Sequence, residues 1–225
     1  MADGRIKIGS NYLKVGSRYV RIGPAPAFVI DPSPTDFLAG DIVLVALTDS
    51  NIGSLVPVNL TGTGCTITEL SRSEGVRSAT FPGSFYDSSA VYVVVITTDG
   101  ATLDDGPATR RSVRARGASL TLADTDGASD ILTELDTGSI ALTVVGTGLI
   151  LLAGHASRLG SFGANGVLLT SPVENEGFVI ESQLGTAHVV YSKEAGGTGA
   201  SWTYENTFGT IENNYIATGL IAIAY

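Results

Sequence analysis

Cysteine, histidine and charge are scarce in this chain, and each scarcity closes off a class of explanation. One cysteine, Cys65, stands among 225 residues. No intrachain disulfide can form, so stability has to come from packing or association. The ordinary role of such a residue is a small buried apolar one. The two histidines are His155 and His188. One follows an apolar run and the other sits in the alternating segment Ala187-His188-Val189-Val190-Tyr191. No Gly-x-Ser-x-Gly elbow surrounds any serine, so no readable pattern joins a nucleophile, a base and an orienting group. The residues therefore predict no enzyme and no cofactor.

Long hydrophobic runs are missing as well. The longest, 140–153 and 216–225, are interrupted by Gly and Thr and fall short of a membrane span. No apolar stretch of a signal peptide follows the start, which predicts synthesis in a cytoplasm. Charged residues are only 16% of the chain and the net charge is −9, a poor balance for a nucleic-acid-binding body. What is abundant is apolar residues, at 44%, and glycine, at 28 positions. That composition fits a globular, strand-rich protein.

The scarce positive charge is unevenly placed. Residues 6–26 repeat with a period of seven: Ile6-Lys7-Ile8-Gly9-Ser10-Asn11-Tyr12, Leu13-Lys14-Val15-Gly16-Ser17-Arg18-Tyr19, then Val20-Arg21-Ile22-Gly23-Pro24. Apolar-basic-apolar triplets have the period of an extended strand, and a Gly in every copy argues against a coiled-coil heptad. Arg5, Lys7, Lys14, Arg18 and Arg21 against Asp3 give the first 26 residues about +4 and leave about −13 for the remainder. A basic β-arm on an acidic body predicts a docking device. Its contact residues are Lys7, Tyr12, Lys14, Arg18, Tyr19 and Arg21. The three short repeats either add to a partner's sheet edge or form a small meander of their own, with Gly9 and Gly16 at the turns.

Pro24-Ala25-Pro26 separates the arm, 1–26, from a body, 27–225. In the body, Ile42 to Leu47 is apolar at every position, as in a strand covered on both faces. Ala90 to Ile96 is the most β-branched run and predicts a central strand. Further strands are expected near 28–30, 65–72, 76–81, 139–145, 148–153, 166–169, 177–181, 186–192, 201–207 and 215–225. Residues 109–122 read as a bridge, Asp124 to Gly127 as a turn, and 128–135 as the one candidate helical turn. The two halves, about 27–123 and 124–225, echo each other. In each, a Gly-launched buried strand (42–47, 149–153) leads to a long apolar one (91–96, 216–225). Short strands with Gly, Pro and Asp turns predict an all-β, jelly-roll-like antiparallel sandwich behind the arm, built as one sandwich or two.

The layout GDIVLVAL … AVYVVVITT … GLILLAGHA … GTAHVVYSKEAGGTGASWTYENT … YIATGLIAIAY resembles jelly-roll structural domains of tailed-bacteriophage virion proteins. The resemblance spans about 27–225 and is one of pattern. It implies a place on a capsid surface, collar, tail tip or fibre, other virion proteins as partners, a homo-oligomer, and no enzymatic activity.

Four groups carry candidate chemistry. Arg110, Arg114 and Arg116 share one face of an extended segment, with Arg111 opposite. They suit a polyanion or, on so acidic a body, aspartates and glutamates of the same or a neighbouring subunit. Trp202 and Tyr204 share a face and would stack on a host surface glycan if exposed, or fill the core if buried. Asp124, Asp126 and Asp130 have the oxygen ligands of a calcium loop without its closing glutamate, and solvated turn acids are the expectation there. Gly196-Gly197-Thr198-Gly199 lacks the Lys-Ser/Thr of a phosphate loop, and Glu174/Glu176 and Asp104/Asp105 are local acid pairs of turns. The expected function is a virion structural protein docked through its arm; the alternative is a carbohydrate-binding module.

Overall fold

The computed structural model describes the backbone of residues 12–15, 18–21, 28–32, 34–78, 84–132, 137–144, 147–157, 167–171, 179–183, 186–196, 200–205 and 214–224. It describes side chains within 29, 31, 34–76, 84–131, 142–144 and 215–224. Over these residues the chain is all-β and antiparallel, with no helix.

The first half contributes β3 (Phe28–Pro32), β4 (Ile42–Ile52), β5 (Thr61–Thr63), β6 (Cys65–Ser78), β7 (Phe85–Ile96), β8 (Thr102–Asp104) and β9 (Thr109–Gly117), after an arm of β1 (Tyr12–Val15) and β2 (Arg18–Arg21). The second contributes β10 (Thr121–Leu132), β11 (Thr137–Leu142), β12 (Thr147–Ser157), β13 (Val167–Ser171), β14 (Val179–Gln183), β15 (Thr186–Gly196), β16 (Ala200–Glu205) and β17 (Asn214–Ala224). Two five-stranded sheets result, ordered β3-β9-β4-β7-β6 and β10-β17-β12-β15-β14. Counted along its own half, each has its strands in the order 1-5-2-4-3. The smaller sheets are β5-β8 and β11-β16-β13. Strands β10 to β17 thus run 1-8-3-6-5 in one sheet and 2-7-4 in the other, alternating between the two sheets except at β14 and β15.

The two large sheets stack, with β6 across β10 and β17, β7 across β17 and β12, β4 across β12, and β9 over β15. Ile42, Leu44, Ala46, Val91, Val93, Val113 and Ala115 meet Ala217, Ile221 and Ile223 between them. The other face of the first sheet buries Val43, Val45, Leu47, Ala90, Tyr92, Val94 and Ile96 against Phe37, Val58, Leu60 and Ala101. β4 therefore has a core on each face, which accounts for its unbroken apolar run. Each Val, Leu, Ile or Phe side chain taken from water contributes roughly 1.5–3 kcal/mol before entropy is counted.

The sheets approach closely at a glycine pair. Gly127 and Gly219 are cross-strand partners on β10 and β17. Leu70, the extra residue of a β-bulge between Glu69 and Ser71, packs into this core beside them. A Cβ on Gly127 would stand 2.2 Å from the Leu70 carbonyl oxygen, and one on Gly219 2.6 Å from Val91 Cγ1. The Ser71 hydroxyl donates to the Thr218 carbonyl at 2.6 Å and the Tyr215 hydroxyl to the Val76 carbonyl at 2.9 Å, stitching sheet to sheet.

Several local expectations are corrected. Asp124 to Gly127 is no turn and 128–132 no helix; both lie inside β10, where pairing along all of β17 outweighs the turn propensity of Asp and Gly. Residues 76–78 continue β6 rather than starting a new strand. The supposed bridge is the whole of β9 followed by the start of β10. The echo between halves is real in sheet order for β4 and β12. In that order, however, β7 corresponds to β15, and β17 corresponds to β9.

Candidate functional site

The second and third arm repeats pair with each other. β1 and β2 form an antiparallel hairpin with Tyr12 opposite Arg21, Leu13 opposite Val20, Lys14 opposite Tyr19 and Val15 opposite Arg18. Gly16 and Ser17 lie between them in the sequence, outside the described residues. The second and third repeats thus pair with each other, as in the meander alternative; residues 6–11 of the first repeat lie outside the described residues. The register sorts its residues: positions 12, 14, 19 and 21, all Tyr, Lys or Arg, share one face, while Leu13, Val15, Arg18 and Val20 share the other. Lys7 lies outside the described residues.

Arg110, Arg114 and Arg116 of β9 share a face, and each is paired with one or more aspartates of its own chain. Arg114 Nη2 donates to Asp31 at 2.8 Å and Nη1 to Asp36 at 3.0 Å, with the Asp41 carboxylate 3.9 Å away. Arg116 grips Asp41 through Nε and Nη2, both at 2.7 Å, and reaches Asp36 at 2.9 Å. Arg110 pairs with Asp105 at 3.2 Å. Arg114 and Asp41 are buried, so this pairing is shielded from solvent. Hydrogen bonds from Arg114, then Arg116, hold the Asp36 carboxyl below its ordinary value, and the bond that Arg116 donates to Asp41 raises Arg116. Chemically the cluster is a clamp. It ties β3, through Asp31, and the 34–41 segment, through Asp36 and Asp41, onto β9.

Asp124, Asp126 and Asp130 are strung along one strand rather than gathered. Asp124 accepts from Thr125 N and Asp130 from Ile131 N; Asp126 accepts from Gly127 N and from Thr143 N. No group of three or more His, Cys, Asp or Glu that could hold a metal occurs among the described residues. Trp202 and Tyr204 stand on β16, the central strand of the β11-β16-β13 sheet, opposite Ile140 and Gly138. Their side chains, like those of the two histidines, lie outside the described residues.

One cluster escaped the sequence. Arg72 Nη2 donates to Glu69 at 2.6 Å and to the Tyr92 hydroxyl at 2.8 Å, and Nη1 reaches Glu74 at 3.4 Å. In a regular strand Glu69 and Arg72 face opposite ways. The bulge at Leu70 puts them on one side, and no residue pattern announces a bulge. Burial raises the Tyr92 phenol, and its hydroxyl also donates to the Val58 carbonyl at 3.2 Å. The arrangement is a structural tie for the 57–60 segment.

Comparison with protein-family models, curated proteins and solved structures finds no match. Among the described residues no helix is long and apolar enough to cross a membrane.

Proposed function

We propose that this chain is a non-enzymatic structural protein of a tailed phage or phage-like particle. It docks through its N-terminal arm and displays the β-sandwich body at a tail tip, fibre, collar or capsid surface. The observation that carries the reading is segregation of charge onto separate structures. About +4 lies on the first 26 residues, which include a hairpin with a Tyr/Lys/Arg face, and about −13 on the rest. Opposite charges on arm and body suit two different contact surfaces. A second reading, binding of a host surface glycan, is supported by the shared face of Trp202 and Tyr204 on the middle strand of a small sheet.

Deleting residues 1–23 tests the first reading. The body's melting temperature should stay nearly unchanged, because an isolated two-stranded hairpin contributes little to stability. Incorporation into particles, followed by mass spectrometry of purified particles, should be lost. Wild-type incorporation of the truncated chain would exclude docking through the arm.

A further inference from the structure

We propose that the arm of one copy docks on the free edge of β10 in a second copy, adding its hairpin to that sheet. The proposal rests on the docking reading above and names the arm's partner. β10 is twelve residues long and stands at one end of its sheet. Among the described residues it pairs with β17 alone. An edge of that length is a template for another strand unless something guards it. Here Asp124, Asp126 and Asp130 sit on one side of the strand, with no Lys or Arg anywhere in it. Carboxylates placed this way repel acidic strands and disfavour neutral ones, and they admit a basic strand. This chain carries such a strand in β1 and β2.

The two sides of the edge match the two faces of the hairpin. On the aspartate side, the face bearing Tyr12, Lys14, Tyr19 and Arg21 would supply the cations. A groove of about 560 Å³ lies between β10 and β6, lined by Arg72, Ser73, Glu74, Ser129 and Ile131, with Asp130 bordering it as well as the aspartate side. Ile131 is 51% exposed there and would be covered by the face bearing Leu13, Val15 and Val20, which also carries Arg18 toward the acidic lining of the groove, Glu74 and Asp130. Main-chain hydrogen bonds would set the register, as in other strand additions. The arm precedes β3, which ends the first large sheet opposite β6, whereas β6 stacks on β10. Donor arm and acceptor edge are different surfaces of one copy, so the contact between copies is head-to-tail and builds rings or chains.

The test uses the full-length chain and sedimentation velocity at rising concentration and salt. Wild type should associate, with salt weakening the association. The arm variant Lys14→Glu/Arg18→Glu/Arg21→Glu and the edge variant Asp124→Lys/Asp130→Lys should each be monomeric while retaining the wild-type circular-dichroism spectrum. Mixed, the two variants should give a one-to-one dimer and nothing larger, because only one arm and one edge remain competent. If Asp124→Lys/Asp130→Lys is misfolded, Asp130→Asn alone should weaken association at least threefold. A wild-type chain that stays monomeric, or a mixture that forms no dimer, overturns the proposal. Either result would leave docking of the arm on a different particle protein intact, which the incorporation assay reads separately.

Discussion

β9 and β17 hold the same place in their sheets, second from the edge and last in chain order, yet the chain secures them by opposite means. β17 is apolar on both faces. Ile216, Leu220 and Ala222 alternate with Ala217, Ile221 and Ile223, and 215–223 are buried throughout. β9 gives only Val113 and Ala115 to the core between the sheets, and turns Arg110, Arg114 and Arg116 to the other side, where aspartates wait. The difference follows from what lies over each strand. A face covered by another sheet is stabilised by removing apolar area from water, whereas a face at the margin of a layer can hold ions that keep partial contact with solvent. One topology thus tolerates two kinds of anchor, and they should fail differently.

The largest effect is expected from Leu220→Ala. Leu220 is fully buried, and truncation leaves both the lost transfer energy and a cavity, a cost of about 4 kcal/mol. Urea unfolding should show the midpoint falling with an unchanged slope. Its cost should be indifferent to salt and pH. A loss below about 1 kcal/mol would mean that the strand relaxes into the space and that β17 is not a core anchor.

Arg114→Met should cost somewhat less, about 3 kcal/mol, because it strips a buried cation from Asp31 and Asp36 and leaves Asp41 to Arg116. The loss should be local. Hydrogen exchange should quicken first in β3 and 34–41, while β17 keeps its protection. Uniform acceleration across both sheets would show that the clamp supports the whole stack and that the contrast between the two strands is one of chemistry alone.

How much of this could be read beforehand depends on how far apart in the chain its causes lie. Two-sided burial was legible in Ile42 to Leu47 because each residue reports its own environment. So was the face shared by Arg110, Arg114 and Arg116, since alternation is local. The hydrogen-bonded aspartates of Arg114 and Arg116 are 75 to 83 residues away, and nothing in the sequence marks Asp36 over any other aspartate. The turn expected at Asp124 to Gly127 failed for the same reason. Gly127 is glycine because Leu70 of another sheet passes 2.2 Å from where a Cβ would sit, a constraint that imitates turn composition. The pairing of 91–96 with 216–225 as equivalent strands misled because apolar length reports burial and not position in the sheet. The arm's heptads were legible as strands, but only the register reveals which residues share a face.

The smallest effect concerns pH and separates the two anchors most cleanly. Asp36 is exposed in its side chain, 64%, and is held below its ordinary value of 3.8 by Arg114 and Arg116. Because its folded value is the lower one, the unfolded chain takes up the proton first as pH falls. The stabilisation from this group is therefore complete above about pH 4 and is lost progressively as pH drops through the folded value. Asp36→Asn should lower the melting temperature slightly at neutral pH and flatten the acid limb of the melting curve below pH 4, so that variant and wild type converge there. Combined with Leu220→Ala, which removes no ionisable group, the flattening should persist unchanged on a lower baseline. Parallel curves for wild type and Asp36→Asn down to pH 2 would show that solvent screens the pair completely, leaving buried Asp41 as the aspartate that matters to β9.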